Sequence, residues 1–211
     1  MNDYYNPVKI LTTNDWLLEL NNYKEKLLIN SPIIITSEGN RKRLDLDSIF
    51  NSSHIYSSVN TNPSFKNCDN AIEFCKENKF DSVIALGGGS VMDLAKVILA
   101  YLSTEKSNIF ELINYKNDFP KKIPSIFLPT THGTGSEVTM WGTLWNYQEK
   151  KKYSISHKDL YPTMAILDGN LTIDLPLEIS ITTILDALSH SFESIWNKNS
   201  NPISTNYAIE A

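Results

Sequence analysis

The chain has 211 residues, of which 41% are hydrophobic and 20% charged, and its formal net charge is −5. This composition is ordinary for a globular protein with one large core or a domain and a half. The mildly acidic balance provides no basic face for nucleic acid, and no apolar run is long enough to span a bilayer. We therefore expect neither nucleic-acid nor membrane partners.

The compartment is indicated by the N-terminus and by the cysteines. The first twenty residues include Asp15 and Glu19 and lack the form of a signal peptide. The two cysteines, Cys68 and Cys75, lie seven residues apart on a predicted helix, which suits neither a disulfide framework nor a zinc site. We expect a reducing, cytoplasmic compartment and two plain helix residues.

Apolar runs alternate with helical patterns through the first 130 residues. Strands are predicted at residues 33–36, 55–59, 82–86 and 125–128. Helices are predicted at residues 71–79 and 91–101. The β-α-β-α-β order predicts an α/β fold with a parallel sheet covered by helices.

The pattern changes after residue 138. Residues 139–145 and 152–156 are strand-like and flank a polar turn, which predicts a hairpin, and residues 164–167 predict one more strand. From Pro176, placed in a first helical turn, apolar residues recur at helical spacing, and another helix is predicted near Ser204. We place a domain boundary near residue 175, giving domains 1–175 and 176–211.

A glycine turn, Gly87-Gly88-Gly89-Ser90, joins a predicted buried strand to a helix. The carboxyl end of a parallel strand followed by a helix N-terminus suits a phosphate group, and glycine lets the backbone approach it closely. A tight turn that uses glycine only for its dihedral angles is the alternative. One helical turn later, Asp93 and Lys96 are by default a solvated face, with Asp93 near enough to reach a bound ligand.

A second polar loop, residues 129–137, also follows a buried strand. Its hydroxyls and glycines suit a polar ligand, although an ordinary polar turn is the alternative. His132 is the histidine on this loop that we expect to face the same cleft. Farther along, Asp186 and His190 share one helix face at i, i+4 spacing and are good ligands for a divalent transition metal. Spacing alone favours a simple helix pair.

Together these segments resemble the iron-containing (group III) alcohol dehydrogenase family. The resemblance is carried by residues 86–96, 129–139, 185–193 and 201–204, and by Asn62-Pro63. It implies a parallel-sheet dinucleotide-binding domain (1–175) followed by the start of an all-helical metal-binding domain (176–211), with the active site between them. Family members are close to twice this length and take two further histidines from later helices, so we expect a truncated, inactive chain.

The resemblance also implies roles for individual residues. Gly88, Gly89 and Ser90 would hold the pyrophosphate of NAD or NADP. Asp186 and His190 would be the first two ligands of a divalent metal, iron or alternatively zinc. The cofactor would also be lined by Ser37, Asn62, Asp93, Thr130, Thr131, Thr134, Ser136 and Lys152.

The implied reaction is hydride transfer between the nicotinamide and a small alcohol or aldehyde, with the metal as Lewis acid. The full-length protein would be a homo-oligomer. Residues 140–145, 151–156 and 194–199 resemble the phosphonoacetaldehyde reductases, which implies reduction of phosphonoacetaldehyde to 2-hydroxyethylphosphonate.

The sequence departs from the family pattern at Ser37, where the family often has Asp, and at His132, where a small residue is usual. Loss of the carboxylate removes a repulsion against a 2′-phosphate, so we expect NADPH to be accepted. Two other hypotheses stay open: a nucleotide-binding half-enzyme without catalysis, and a relative of zinc glycerol dehydrogenase or dehydroquinate synthase. The Thr134-Gly135-Ser136-Glu137 segment argues against the latter.

Overall fold

The computed structural model describes residues 5–211, so the first four residues of the predicted first domain lie outside the described residues. The strands are β1 (Lys9–Thr13), β2 (Pro32–Thr36), β3 (Ile55–Tyr56), β4 (Ser82–Gly87), β5 (Ser125–Pro129), β6 (Trp141–Asn146), β7 (Lys151–Ser156) and β8 (Met164–Asp168). Six of them form one parallel sheet in the order β1-β8-β5-β4-β2-β3, and β6 and β7 form an antiparallel hairpin.

Helices cover both faces of the sheet, and two further helices follow the last strand. They are α1 (Trp16–Lys26), α2 (Glu38–Arg43), α3 (Leu46–Ile49), α4 (Phe65–Lys76), α5 (Gly89–Thr104), α6 (Ile109–Ile113), α7 (Leu177–Trp196) and α8 (Pro202–Glu210). Within residues 5–211, no helix is both long and apolar enough to cross a membrane.

The central strands β2, β4 and β5 are buried along their whole length, as their continuous apolar sequences predict. Successive side chains point to opposite faces. Ile33 and Ile35 join the core under α4 and α5, whereas Ile34 joins the core that contains Leu20 of α1. The predicted α/β fold with a parallel sheet is therefore confirmed.

The hairpin β6–β7 packs on α5 instead of extending the sheet. Gly142 lies against the α5 backbone, where an added Cβ would be 3.1 Å from the carbonyl oxygen of Asp93. Leu144 and Ile155 enter the core beside α5. The hairpin prediction is confirmed, and its consequence is that α5 is covered on the side away from the sheet.

Several predicted bounds were wrong. The strand predicted at residues 55–59 ends at Tyr56. Beyond it, the side-chain amide of Asn67 donates to the Ser58 carbonyl and accepts from the Asn60 amide, and so takes the place of a neighbouring strand. Helix α4 begins at Phe65, well before residue 71, since the Ser64 hydroxyl caps it. Pro176 precedes α7 as its cap.

Five of these strands and α-helices were not predicted at all, namely β1, α1, α2, α3 and α6. Strand β1 lies at the sheet edge with mostly exposed side chains, and Leu20 is the buried residue of α1. Such elements bury little apolar surface, and their sequence periodicity is correspondingly weak.

Candidate functional site

One cavity of about 1080 Å³ lies at the carboxyl ends of β2, β4 and β5 and runs along α7. Ligands bind at this end of the strands in open parallel sheets. All of the predicted site residues line it, although their roles stay predictions: Ser37, Asn62, Gly88, Gly89, Ser90, Asp93, Thr130, Thr131, Thr134, Ser136, Lys152, Asp186 and His190.

The glycine turn leaves no room for side chains. A Cβ on Gly87 would lie 2.5 Å from Val91 Cγ2, and one on Gly88 would lie 3.0 Å from the Thr131 side chain. Gly88 caps α5 without a side-chain hydrogen bond, so the first amides of this long helix are available to a ligand. The Ser90 hydroxyl accepts the Asn62 amide at 3.1 Å and keeps its own proton to donate. The donors and the bare backbone fit a pyrophosphate.

The second loop packs against two other elements. The Thr130 amide donates to the Gly87 carbonyl, and the Asn40 amide donates to the Thr130 hydroxyl at 3.1 Å. Gly133 has φ +101°, and a Cβ there would lie 2.1 Å from the Thr183 carbonyl oxygen of α7. The loop, which follows β5, therefore makes a close contact with α7 at Gly133.

His132 does not face the cleft, so that expectation is wrong. Its side chain is exposed, and it is not among the residues that line the cavity. Its neighbour Gly133 turns toward α7, where the backbone approach is too close for a side chain.

The default expectation that Asp93 and Lys96 form a solvated face is also wrong. Lys96 is fully buried and donates to the Ser136 carbonyl at 2.8 Å. Burial lowers the pKa of Lys96 to about 8 and raises the pKa of Asp93 to about 6. The reason is the hairpin, which covers the face of α5 that carries both residues.

Helix α7 presents to the cavity a face that is polar except for Ile179, with residues at helical spacing: Ile179, Thr182, Thr183, Asp186 and His190. From Ile179 to His190 this face is about 16 Å long at the ordinary helical rise. It is long enough to run beside an extended dinucleotide.

Asp186 and His190 lie together on this face. The distance from His190 Nε2 to Asp186 Oδ1 is 3.8 Å, and the side chains are 54% and 45% exposed, respectively. Among the described residues, no group of three or more His, Cys, Asp and Glu side chains is placed to hold a metal ion. A catalytic metal takes at least three protein ligands. The donor chemistry fits a transition metal, but this pair does not make a complete site.

The cavity end near Ser37 contains two residues that the sequence analysis did not assign, Asn40 and Arg43. Ser37 caps α2 by accepting the Asn40 amide, and Arg43 Nη2 donates to the Asn40 side-chain oxygen and to the Leu171 carbonyl. Asn40 is the third residue after the cap residue Ser37, and this spacing could have predicted that it lies beside Ser37 in the cavity.

The hairpin contributes Trp141, Thr143 and Trp145, which were also missed. These alternate residues of β6 line the cavity, whereas Gly142 and Leu144 between them are buried. Lys152 on the paired strand places its ammonium 5.0 Å from the Trp145 ring centre. The alternation along β6 could have identified this wall.

The structure is a parallel α/β domain with a glycine-turn cavity at its strand ends, followed by an exposed helical segment. Residues 7–169 match the family described as iron-containing alcohol dehydrogenase. The chain therefore belongs to the iron-containing alcohol dehydrogenase family, a family of oxidoreductases.

Individual relatives agree with this assignment. Long-chain-alcohol dehydrogenase 1 of Geobacillus thermodenitrificans is 36% identical over 160 residues, which are 75% of this chain and 40% of that protein. The structure is similar to sulfoacetaldehyde reductase from Bifidobacterium kashiwanohense in complex with NAD+ (TM-score 0.88, 30% identity, 99% of this chain and 57% of that one). It is also similar to NADH-dependent butanol dehydrogenase A from Thermotoga maritima (TM-score 0.84, 28% identity, 98% and 54%).

The chain thus spans about half the length of the structures it matches. The resemblance to phosphonoacetaldehyde reductases is not confirmed by these relatives and stays a prediction.

Proposed function

We propose that this chain is the cofactor-binding part of an iron-type, NAD(P)-dependent alcohol dehydrogenase or aldehyde reductase. The observation that carries the proposal is the side-chain-free turn at Gly88, which faces the same cavity as Asp186 and His190. A nicotinamide cofactor, when bound, supplies or accepts a hydride. The chain's own residues bind the cofactor, orient it and cover it.

Each wall of the cavity has a distinct part in this proposal. The amides of Gly89 and Ser90 and the Ser90 hydroxyl hold the pyrophosphate at the positive end of α5. The hydroxyls of Thr130, Thr131 and Thr134 donate along one side, and Ser136 lines the same side. Lys152, held over Trp145, adds a positive charge from the hairpin.

Asp186 and His190 are proposed as the first two ligands of a divalent metal, iron or alternatively zinc. Two ligands do not hold a catalytic metal, so no step of the reaction is assigned to a metal on this chain. We propose that the 211-residue chain alone binds the nucleotide but does not convert an alcohol or aldehyde.

The proposed substrate is a small aldehyde with a second, anionic group, such as phosphonoacetaldehyde. The support is the likeness to a sulfoacetaldehyde reductase and the placement of Lys152 in the cavity wall. The ammonium of Lys152 is positioned to attract an anion to this wall.

The second candidate is a nucleotide-binding half-enzyme without catalysis in any form. The incomplete donor set within residues 5–211 is the observation that favours it. Metal content and NAD(P)H oxidation distinguish the two: activity that appears when the chain is extended by further family-type helical sequence supports the dehydrogenase.

The cofactor itself is tested by titrating the 211-residue chain with NADH and comparing Gly88→Val. A valine at Gly88 would collide with Thr131, so we expect NADH affinity to fall more than about a hundredfold, roughly 2.7 kcal/mol. Gly169→Val is the matched control, because nothing lies within 4 Å of an added Cβ there. Unchanged affinity in a folded Gly88→Val protein would remove the basis of the proposal.

We further propose that NADPH is accepted at the Ser37 end. Glu38 is bound to Ser57, which lowers its pKa, and it does not line the cavity. Arg43 does line it, and no carboxylate among the described residues lies within ion-pair distance of its guanidinium, whereas Arg41 is paired with Asp47. Arg43 is thus the charge available to a 2′-phosphate.

This choice is measured as the ratio of the dissociation constants for NADPH and NADH. We expect wild type to bind NADPH no more than about tenfold more weakly than NADH, and Arg43→Ala to lose about tenfold on NADPH alone. Lys42→Ala, on the exposed side of the same helix, is the control. A wild-type preference for NADH above about tenfold would contradict the proposal.

A further inference from the structure

Lys96 is a fully buried lysine to which no role has yet been assigned. Its ammonium donates to the Ser136 carbonyl at 2.8 Å, the Ser136 hydroxyl at 2.9 Å and the Thr139 hydroxyl at 3.0 Å, and also to the Trp141 carbonyl. All of these oxygens belong to the chain that leads from the second loop into β6. Lys96 itself is on α5, two turns after the glycine turn.

A buried ammonium is expensive for a fold. Asp93 and Glu137 stabilise its charge electrostatically, but no carboxylate within residues 5–211 approaches it to ion-pair distance. An apolar side chain of the same length would fill the space without the desolvation penalty. What it would not do is bond three separate residues between Ser136 and Trp141 to one point.

The residues gathered by Lys96 form a wall of the cavity, since Ser136, Thr139 and Trp141 all line it. Ser136 also donates to the Asp93 carboxylate at 3.3 Å, which ties the same wall to α5 a second time. Helix α5, which begins at the glycine turn, is therefore bonded directly to the wall formed by Ser136, Thr139 and Trp141.

We propose that Lys96 is a positioning residue for the cofactor, which fixes the wall formed by Ser136, Thr139 and Trp141 relative to the glycine turn. This inference rests on the proposed cofactor binding. Lys96 is shielded from the cavity and acts only through the residues that it holds.

The position of this wall predicts which part of the cofactor depends on it. Near its start the second loop bonds Asn40 at the Ser37 end through Thr130, and it then contacts α7 at Gly133 before it reaches Ser136. The wall therefore lies away from the Ser37 end, where the adenosine is placed. Loss of Lys96 should weaken binding of the whole dinucleotide and spare binding of its adenosine part.

The test compares NADH and AMP binding to the 211-residue chain by calorimetry, with AMP measured by displacement where it is weak. We expect Lys96→Met to raise the dissociation constant for NADH at least about tenfold, and that for AMP less than about twofold. Lys76→Met is the control, because Lys76 forms an exposed pair with Glu73 on α4. It should leave both constants unchanged.

A second variant covers the case in which Lys96→Met does not fold. Thr139→Val removes one acceptor and keeps the shape, and it should weaken NADH about threefold with AMP unchanged. Equal losses for NADH and AMP, or no loss for NADH, would overturn the inference in either variant. Failure of wild type to bind NADH would instead contradict the proposed function.

Discussion

The sheet region up to β8 and the helices α7 and α8 differ in how they are buried. The sheet region has a core on each face of its strands. None of the described residues of α7 and α8 is buried, and Leu185, Leu188, Phe192 and Ile195 are all exposed. The difference indicates that the glycine-turn side of the cavity is held by its own core, whereas α7 buries no residue and approaches the second loop closely at Gly133.

The first prediction tests this difference in burial directly. Leu94→Ala removes a fully buried side chain of α5 and should lower the free energy of unfolding by about 2–5 kcal/mol. Leu188→Ala makes the same change on the exposed face of α7 and should cost less than about 0.5 kcal/mol. Urea unfolding of both variants measures the two values. A large cost at Leu188 would mean that α7 is covered in solution.

The second prediction tests the contact between the two regions. Gly133→Ala places a Cβ against the Thr183 carbonyl at a positive φ, so the loop and α7 must separate. We expect the free energy of unfolding to fall by about 1–3 kcal/mol and proteolysis within α7 to become faster. Gly135→Ala is the matched control: the φ of Gly135 is also positive, at +62°, but an added Cβ there meets nothing within 4 Å. Equal effects in the two variants would show that strain alone, and not the contact with α7, is measured.

The same contrast explains which parts of the molecule could be predicted from the sequence. The central strands were predictable because they are continuously apolar, and the glycine turn because it directly follows one of them. The cavity-lining residues of the glycine turn and of the second loop follow strands that are neighbours in the sheet, so the sheet order brings them together. Those inferences depend on local sequence and on a simple topology.

The burial of Lys96 depends on contacts that are distant in sequence. Nothing in the sequence near Lys96 shows that residues 136–141 will cover it, so the sequence predicts a solvated charge on a helix. Trp141 and Arg43 were missed for a similar reason, since their positions on the cavity wall follow from the packing of the hairpin and of α2. Such long-range packing determines which polar side chains are desolvated.

The last prediction concerns the pH dependence of this buried lysine and has the smallest expected effect. Burial lowers the pKa of Lys96 to about 8 from its ordinary value of 10.5. Between these pH values the unfolded chain binds more protons at this position than the folded chain. Stability contributed by Lys96 must therefore rise as pH increases through this window.

Lys96→Met is the reference, because it removes this titration and leaves the distant groups unchanged. Asp93, on the same helix, has its pKa raised to about 6 by burial, and Glu137 also has a raised pKa, so the comparison is made above pH 7. The difference in free energy of unfolding between wild type and variant should grow by at least about 1 kcal/mol from pH 8 to pH 10. Urea unfolding at half-unit pH steps measures it. A constant difference would mean that Lys96 stays protonated up to pH 10. The hydrogen bonds from its ammonium to the four surrounding oxygens would then outweigh the desolvation penalty of burial.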